Sequence, residues 1–245
     1  MVAAWRDEMG HEDGSWTRSQ AVDFLEASRS WAPRATVIEA IEAIEASEAV
    51  ARPQDPAECD AGGGNDERSV RRRAADLGCG AGTEVLELLH AGFEVLAVDL
   101  HDECVEETAR RAASEGYEAR LETRVSDLAA LELPTDRFDL VHAGFSLPFC
   151  PRAAWPACWR AIARSVRVGG VFAGQFFGPR EPMVRDAAPA SVTMLDREGV
   201  ASLRGGVSGI DWEALREEEI ERPGRGPRGE PKHWHVFHVI WRRIA

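Results

Sequence analysis

Three glycines at alternate positions, Gly78, Gly80 and Gly82, follow a short apolar stretch and precede a helix expected to begin near Thr83. Glycine permits positive φ and lets a ligand approach bare backbone, so this spacing describes a loop that wraps something. The helix behind it offers unpaired N–H groups and the positive end of its dipole. A dinucleotide loop reads G-x-G-x-x-G, and its third glycine would fall where Thr83 stands. Asp76, two positions before the first glycine, suits a cationic ligand end better than a pyrophosphate. Asp99 closes the second apolar stretch, about twenty residues on, where nucleotide-binding βαβ units place an acid against the ribose hydroxyls. Its competing role is a cap for the next helix, a place that Asp102 is expected to fill.

The run Asp76-Leu77-Gly78-Cys79-Gly80-Ala81-Gly82 resembles the first motif of the class I S-adenosylmethionine-dependent methyltransferases. The resemblance implies S-adenosyl-L-methionine as cofactor, its methionine end against Asp76, Gly78, Cys79, Gly80 and Gly82, and its ribose at Asp99 and Leu100. It places an acid after the third strand against the adenine, which Asp127, followed by Leu128, matches; a helix cap is the competing role there. Ser146-Leu147-Pro148-Phe149 resembles a small-molecule subgroup related to tellurite-resistance methyltransferases. The Asn/Asp-Pro-Pro-Tyr/Phe signature of amino-methyltransferases is absent, which removes the usual argument for a DNA base or glutamine amide as acceptor.

Methyl transfer needs a base only when the acceptor arrives protonated. Candidate catalytic groups are His142 and Ser146, polar residues at the tip of an apolar strand, and His233 and His235 near the chain's end. Trp31, Phe145 and Phe149 are the candidate substrate-pocket residues; the resemblance implies that the N-terminal helices form a lid, with Trp16 and Phe24 beside Trp31, and a packing extension is the competing role for those helices. Alternation places His233 and His235 on one face of the last strand and Trp234 and His238 on the other. An antiparallel last strand starts at the edge where ligands bind, so Lys232, His233 and the preceding arginine-rich loop are expected to face the acceptor. A third ligand beside the H-x-H pair is not evident, and no metal site is expected.

The elements that must position these residues read as an α/β, Rossmann-like, doubly wound, mostly parallel seven-stranded sheet with an antiparallel last strand and an N-terminal helical extension. Residues 1–14 read as a mobile end, 15–50 as two capping helices, 51–70 as a Pro- and Gly-rich linker, and 71–245 as the cofactor-binding domain. Strands are expected at 73–77, 93–98, 119–125, 137–143, 171–177 and 232–241; the acids and leucine of 212–221 also suit a helix, but the resemblance implies a strand there. A helix over 151–168 is expected to stop at Gly169-Gly170, a second to cover 193–203 with Asp196 as a cap, and 222–231 to form a hairpin loop.

Composition narrows the classes further. The 245 residues, 44% hydrophobic and 29% charged, suit one sizeable soluble domain with an extension. There is no apolar run of about 18 residues, and the start lacks a basic and an apolar leader region, so the expectation is a cytoplasmic protein with no membrane partner. Five cysteines without a C-x-x-C pair favour free thiols. A net charge of −13 opposes nucleic acid as partner. Oligomeric state cannot be read. Two other functions fit the same cofactor pocket: a cyclase or aminocarboxypropyl transferase that releases methylthioadenosine, and a non-catalytic binding module.

Overall fold

The computed structural model describes residues 18–51, 71–182, 192–226 and 229–245. The expected N-terminal end, the linker from residue 52, Trp16 and most of the loop after the fifth strand lie outside them. Two helices come first, α1 (Arg18–Ser28) and α2 (Ala35–Ala51). Then β1 (Arg73–Leu77), α3 (Thr83–His90), β2 (Glu94–Asp99), α4 (Asp102–Ser114), β3 (Leu121–Val125) and β4 (Phe138–Ala143) alternate. The chain continues through α5 (Trp155–Ser165), β5 (Val166–Phe177), α6 (Arg197–Gly205), β6 (Trp212–Arg225) and β7 (Pro231–Arg243). Among the described residues no helix is long and apolar enough to cross a membrane.

The seven strands form one sheet in the order β3-β2-β1-β4-β5-β7-β6, with β7 antiparallel to both neighbours. This is the expected Rossmann-like sheet. Its central strands are buried on both faces, as parallel strands between helix layers must be. In β2, Leu96 and Val98 join a core with Trp159, Phe172 and Trp241, while Val95 and Ala97 join a second core with Val37, Leu88 and Phe93. Period-2 alternation thus feeds two cores, one under α5 and one under α2 and α3. The first places the tryptophans of α5 in packing, edge-on to Phe176 and Phe172.

The connections from strand to helix all fall on one edge of the parallel strands. The antiparallel β7 returns its first residues to that same edge, beside Phe177 at the end of β5. The edge therefore collects both halves of a site.

Four boundaries differ from expectation. Helix α5 ends at Ser165, and Gly169-Gly170 lies inside β5 rather than after a helix. The register slips between Phe138 and Leu140, and a Cβ at Gly170 would sit 2.9 Å from the Phe138 carbonyl, so the glycine pair makes an irregular step in a strand. Strand β6 runs on to Arg225, pairing with Pro231, which leaves a much shorter hairpin loop. Helix α6 starts only at Arg197 because Met194 is still extended and bridges Phe177; Asp196 caps it by accepting from Gly199 N. Asp102 is the first residue of α4, not its cap, which is His101.

Candidate active site

The glycine loop is held from below by the end of β2. Gly78 N and Cys79 N both donate to Val98 O, at 2.7 and 3.0 Å. Gly80 N donates to Asp99 Oδ2 at 2.9 Å, and His101 N donates to Asp99 Oδ1 at 3.0 Å. Asp99 thereby ties the two strand ends together while its carboxylate lines a cavity. Gly78 has φ +81°, and a Cβ there would lie 2.3 Å from Ser146 Cβ, so the loop after β4 can close on β1 only over a glycine.

The cavity has a volume of about 650 Å³, within the ~300–1,000 Å³ usual for small-molecule sites. Its first half is bounded by Gly78 and Gly80, by Asp99 and Leu100 after β2, and by Asp127 and Leu128 after β3. Asp127 also accepts from Ala129 N at 2.8 Å, so its capping role and its place at the cavity coexist. Cys79 and Gly82 support the loop from behind and do not reach the cavity. Cys79 is buried against Thr108, and burial, reinforced by Asp99 and Asp76, pushes its thiol well above the usual range.

Asp76 and His142 are register partners across β1 and β4, so their side chains leave the same face of the sheet. His142 Nδ1 and Asp76 Oδ1 are 2.7 Å apart, with both residues almost fully buried and neither at the cavity surface. Burial raises the Asp76 carboxyl above the usual range, against the pull of His142. Asp76 Oδ2 and His142 Nε2 have no hydrogen-bond partner among the described residues. The same layer holds the buried Glu84, whose Oε1 meets Arg34 Nη1 at 2.6 Å. Burial works to raise Glu84, but the Arg34 charge, with His142 and backbone hydrogen bonding, outweighs it and holds the carboxyl below the usual range. This pair fastens the start of α2, and with it Phe24 and Trp31, over the glycine loop. All three of Phe24, Trp31 and Arg34 line the cavity, and the two rings meet edge-on at 5.6 Å.

The second half is built from the loop after β4 and from one face of the β6–β7 hairpin. Phe145, Ser146 and Phe149 line it, as do Lys232, Trp234 and His238. Ser146 donates its hydroxyl hydrogen to Leu77 O, so it fastens the loop to β1. Phe145 adopts φ +60°, a conformation that a bulky side chain holds only when its surroundings fix it. Its ring lies 5.9 Å from Phe177, 5.8 Å from Trp234 and 6.3 Å from His238.

His233 and His235 belong to the opposite face and do not line the cavity. His233 Nε2 is 3.3 Å from Glu221 Oε1. His235 is buried, with Nδ1 accepting from Arg180 N at 3.0 Å, so the ring hydrogen sits on Nε2, 2.9 Å from Glu219 Oε1. Both are occupied in holding β6, β7 and the loop after β5 together. The alternation from Lys232 separated the two faces correctly, but sequence contains no mark of which face meets the cavity. His238, which does meet it, carries no sequence signal for that reason; Arg222 and Arg225, from the arginine-rich stretch expected to face the acceptor, also line the cavity, and Arg34 reaches it from the start of α2. Burial, helped by Arg216, lowers the pKa of His238, so its ring is neutral at neutral pH. Among the described residues no group of three His, Cys, Asp or Glu side chains is arranged to hold a metal ion.

Residues 74–170 match the family model described as a methyltransferase domain. No curated protein matches the sequence. Among solved structures, TehB from Haemophilus influenzae superposes with a TM-score of 0.58 at 18% identity over 71% of this chain, which spans 58% of that protein's length. The Burkholderia thailandensis 1,6-didemethyltoxoflavin-N1-methyltransferase, solved with 1,6-didemethyltoxoflavin and S-adenosylhomocysteine, gives 0.58 at 18% identity, covering 93% of this chain and 87% of that one. The [4+2]-cyclase SpnF gives 0.54 at 19% identity, covering 70% of this chain and 74% of that one. The fold is that of the class I methyltransferases, and the matched methyltransferase domain is the stretch that builds the first half of the cavity.

Proposed function

We propose that the chain is an S-adenosylmethionine-dependent methyltransferase acting on a small organic molecule. The observation that carries this reading is the convergence of the glycine loop, Asp99 and Asp127 on the first half of one cavity whose second half is aromatic. Asp99 presents a carboxylate already oriented by Gly80 N and His101 N, with lone pairs left to accept from two ribose hydroxyls. Asp127 and Leu128 border the place for the adenine. When bound, S-adenosylmethionine supplies a sulfonium methyl group open to in-line displacement.

The chain's own contribution is then largely positioning, because holding two reactants at near-attack distance can supply much of the barrier reduction. Phe24 and Trp31 close the cavity above the loop and keep water out. Phe145, Phe149 and Trp234 offer flat apolar walls to the acceptor. Where the acceptor arrives protonated, the neutral ring of His238 can take its proton, a role for which His142, His233 and His235 are out of place. Relatives of this fold include a cyclase. The full chain is therefore incubated with S-adenosylmethionine, with and without a panel of small organic acceptors, and the products are weighed. S-adenosylhomocysteine formed only with an acceptor is expected; methylthioadenosine formed without one overturns methyl transfer.

A further inference from the structure

The second half of the cavity gathers cations in a chain whose net charge is −13. Lys232, the only lysine in the sequence, lines it together with Arg222 and Arg225, and no acid stands among the described residues that line this half. Both acids at the cavity surface, Asp99 and Asp127, belong to the other half. The hairpin register brings two of the three cations to this face, and Arg225 joins them from the end of the hairpin. Ile220, Arg222 and Gly224 oppose Val236, Trp234 and Lys232, so all six side-chain positions share one face.

The three cations are not equally neutralised. Lys232 Nζ is 2.9 Å from Oε1 of the fully buried Glu181 and 3.6 Å from the centre of the Trp234 ring. Arg225 Nη1 donates to Gly229 O at 2.8 Å and meets no carboxylate among the described residues. The Arg222 guanidinium makes neither a hydrogen bond nor an ion pair among them, and feels the charge of Glu218 without pairing with it. Beside this positive edge the Trp234 indole lies flat along β6, its Nε1 donating to Arg225 O at 3.0 Å. That placement depends on Gly224, where a Cβ would come within 2.7 Å of Trp234 Cδ1. Phe145, held in its left-handed conformation, faces the same indole.

We infer that the acceptor is a planar aromatic acid, its ring lying against the wall made by Phe145 and Trp234 and its carboxylate taken up by Arg222 and Arg225. This rests on the methyltransferase reading and names the acceptor class for that same cavity. Arginine presents paired donors that match a carboxylate, and Arg222 has none of them committed. A neutral analogue of the same shape would offer that guanidinium no carboxylate within the cavity.

The test uses the full chain saturated with S-adenosylhomocysteine and two matched probe pairs, 4-hydroxybenzoate with 4-hydroxybenzamide and indole-3-acetate with indole-3-acetamide, titrated by calorimetry. At least one acid is expected to bind about tenfold or more tightly than its amide, and Arg222→Gln with Arg225→Gln is expected to erase that preference. Both arginines are exposed, so folding is not at stake; Lys232 is left in place because its loss would strand the buried Glu181. Gly224→Val displaces the indole and is expected to weaken acid and amide alike. The inference is overturned if amides bind as well as acids, if the preference survives the double arginine substitution, or if neither acid binds at millimolar concentration. Failure of S-adenosylhomocysteine to bind in the preceding titration would count against the cofactor reading instead, and the acid preference is then read on the protein alone.

Discussion

Gly78→Ala isolates the contact on which the site is assembled. At φ +81° an L residue carries about 1–2 kcal/mol of left-handed strain. Its Cβ would also stand 2.3 Å from Ser146 Cβ, an atom fixed to the backbone, so the loop after β4 must back away from β1. Overpacking of this kind costs about 1–3 kcal/mol, for a total of about 2–5 kcal/mol. Gly92→Ala is the matched control, because Gly92 has φ +88° with nothing within 4 Å of its Cβ position and loses only the strain. Urea unfolding of both variants measures the difference. Adding Ser146→Gly to Gly78→Ala is expected to recover most of the clash, less the bond from Ser146 to Leu77 O. If Gly78→Ala proves no more destabilising than Gly92→Ala, the loop after β4 does not close on β1 as described.

Asp99→Ala is expected to weaken S-adenosylhomocysteine binding about 10- to 150-fold for each charged hydrogen bond lost, at about 1.5–3 kcal/mol apiece, and unchanged affinity by calorimetry would remove Asp99 from the ribose site. Glu84→Gln is expected to destabilise the fold by about 1.5–3 kcal/mol at pH 7, since the Arg34 that it leaves behind is only 24% exposed. Because the folded Glu84 titrates below its usual 4.5, the gap between wild type and Glu84→Gln is fully present above that pH and shrinks as pH falls through the lower folded value; a gap that grows on acidification contradicts the ion pair. His235→Leu strips Glu219 and Arg180 N of a partner and is expected to cost about 1–3 kcal/mol in thermal unfolding, with no loss meaning that the ring does not hold the loop.

Most of the cofactor half was legible because its signals are local. Strand, glycine loop and helix follow within a dozen residues, and adjacent parallel strands bring Asp99 to that loop by register alone. Asp76 illustrates the limit: its place beside the loop could be read, but its pairing with His142 comes from the β1–β4 register, across more than sixty residues of sequence. The acceptor half depends on such distant pairings throughout. Alternation in β7 divides His233 and His235 from Trp234 and His238, yet only the packing of the hairpin over Phe145 and Phe177 decides which pair sees the cavity. Arg34 was hidden for a similar reason, since a helix start says nothing about the buried Glu84 that anchors it. Gly169-Gly170 misled in the opposite direction: a local helix-stop signal was overridden by strand pairing of Val166 with Phe138.

The central claim is that the glycine loop, Asp99 and Asp127 together form the seat of S-adenosylmethionine. Calorimetric titration of the full chain with S-adenosylhomocysteine tests it most directly. The account predicts saturable binding at one site per chain, and the absence of binding at millimolar concentration would contradict it.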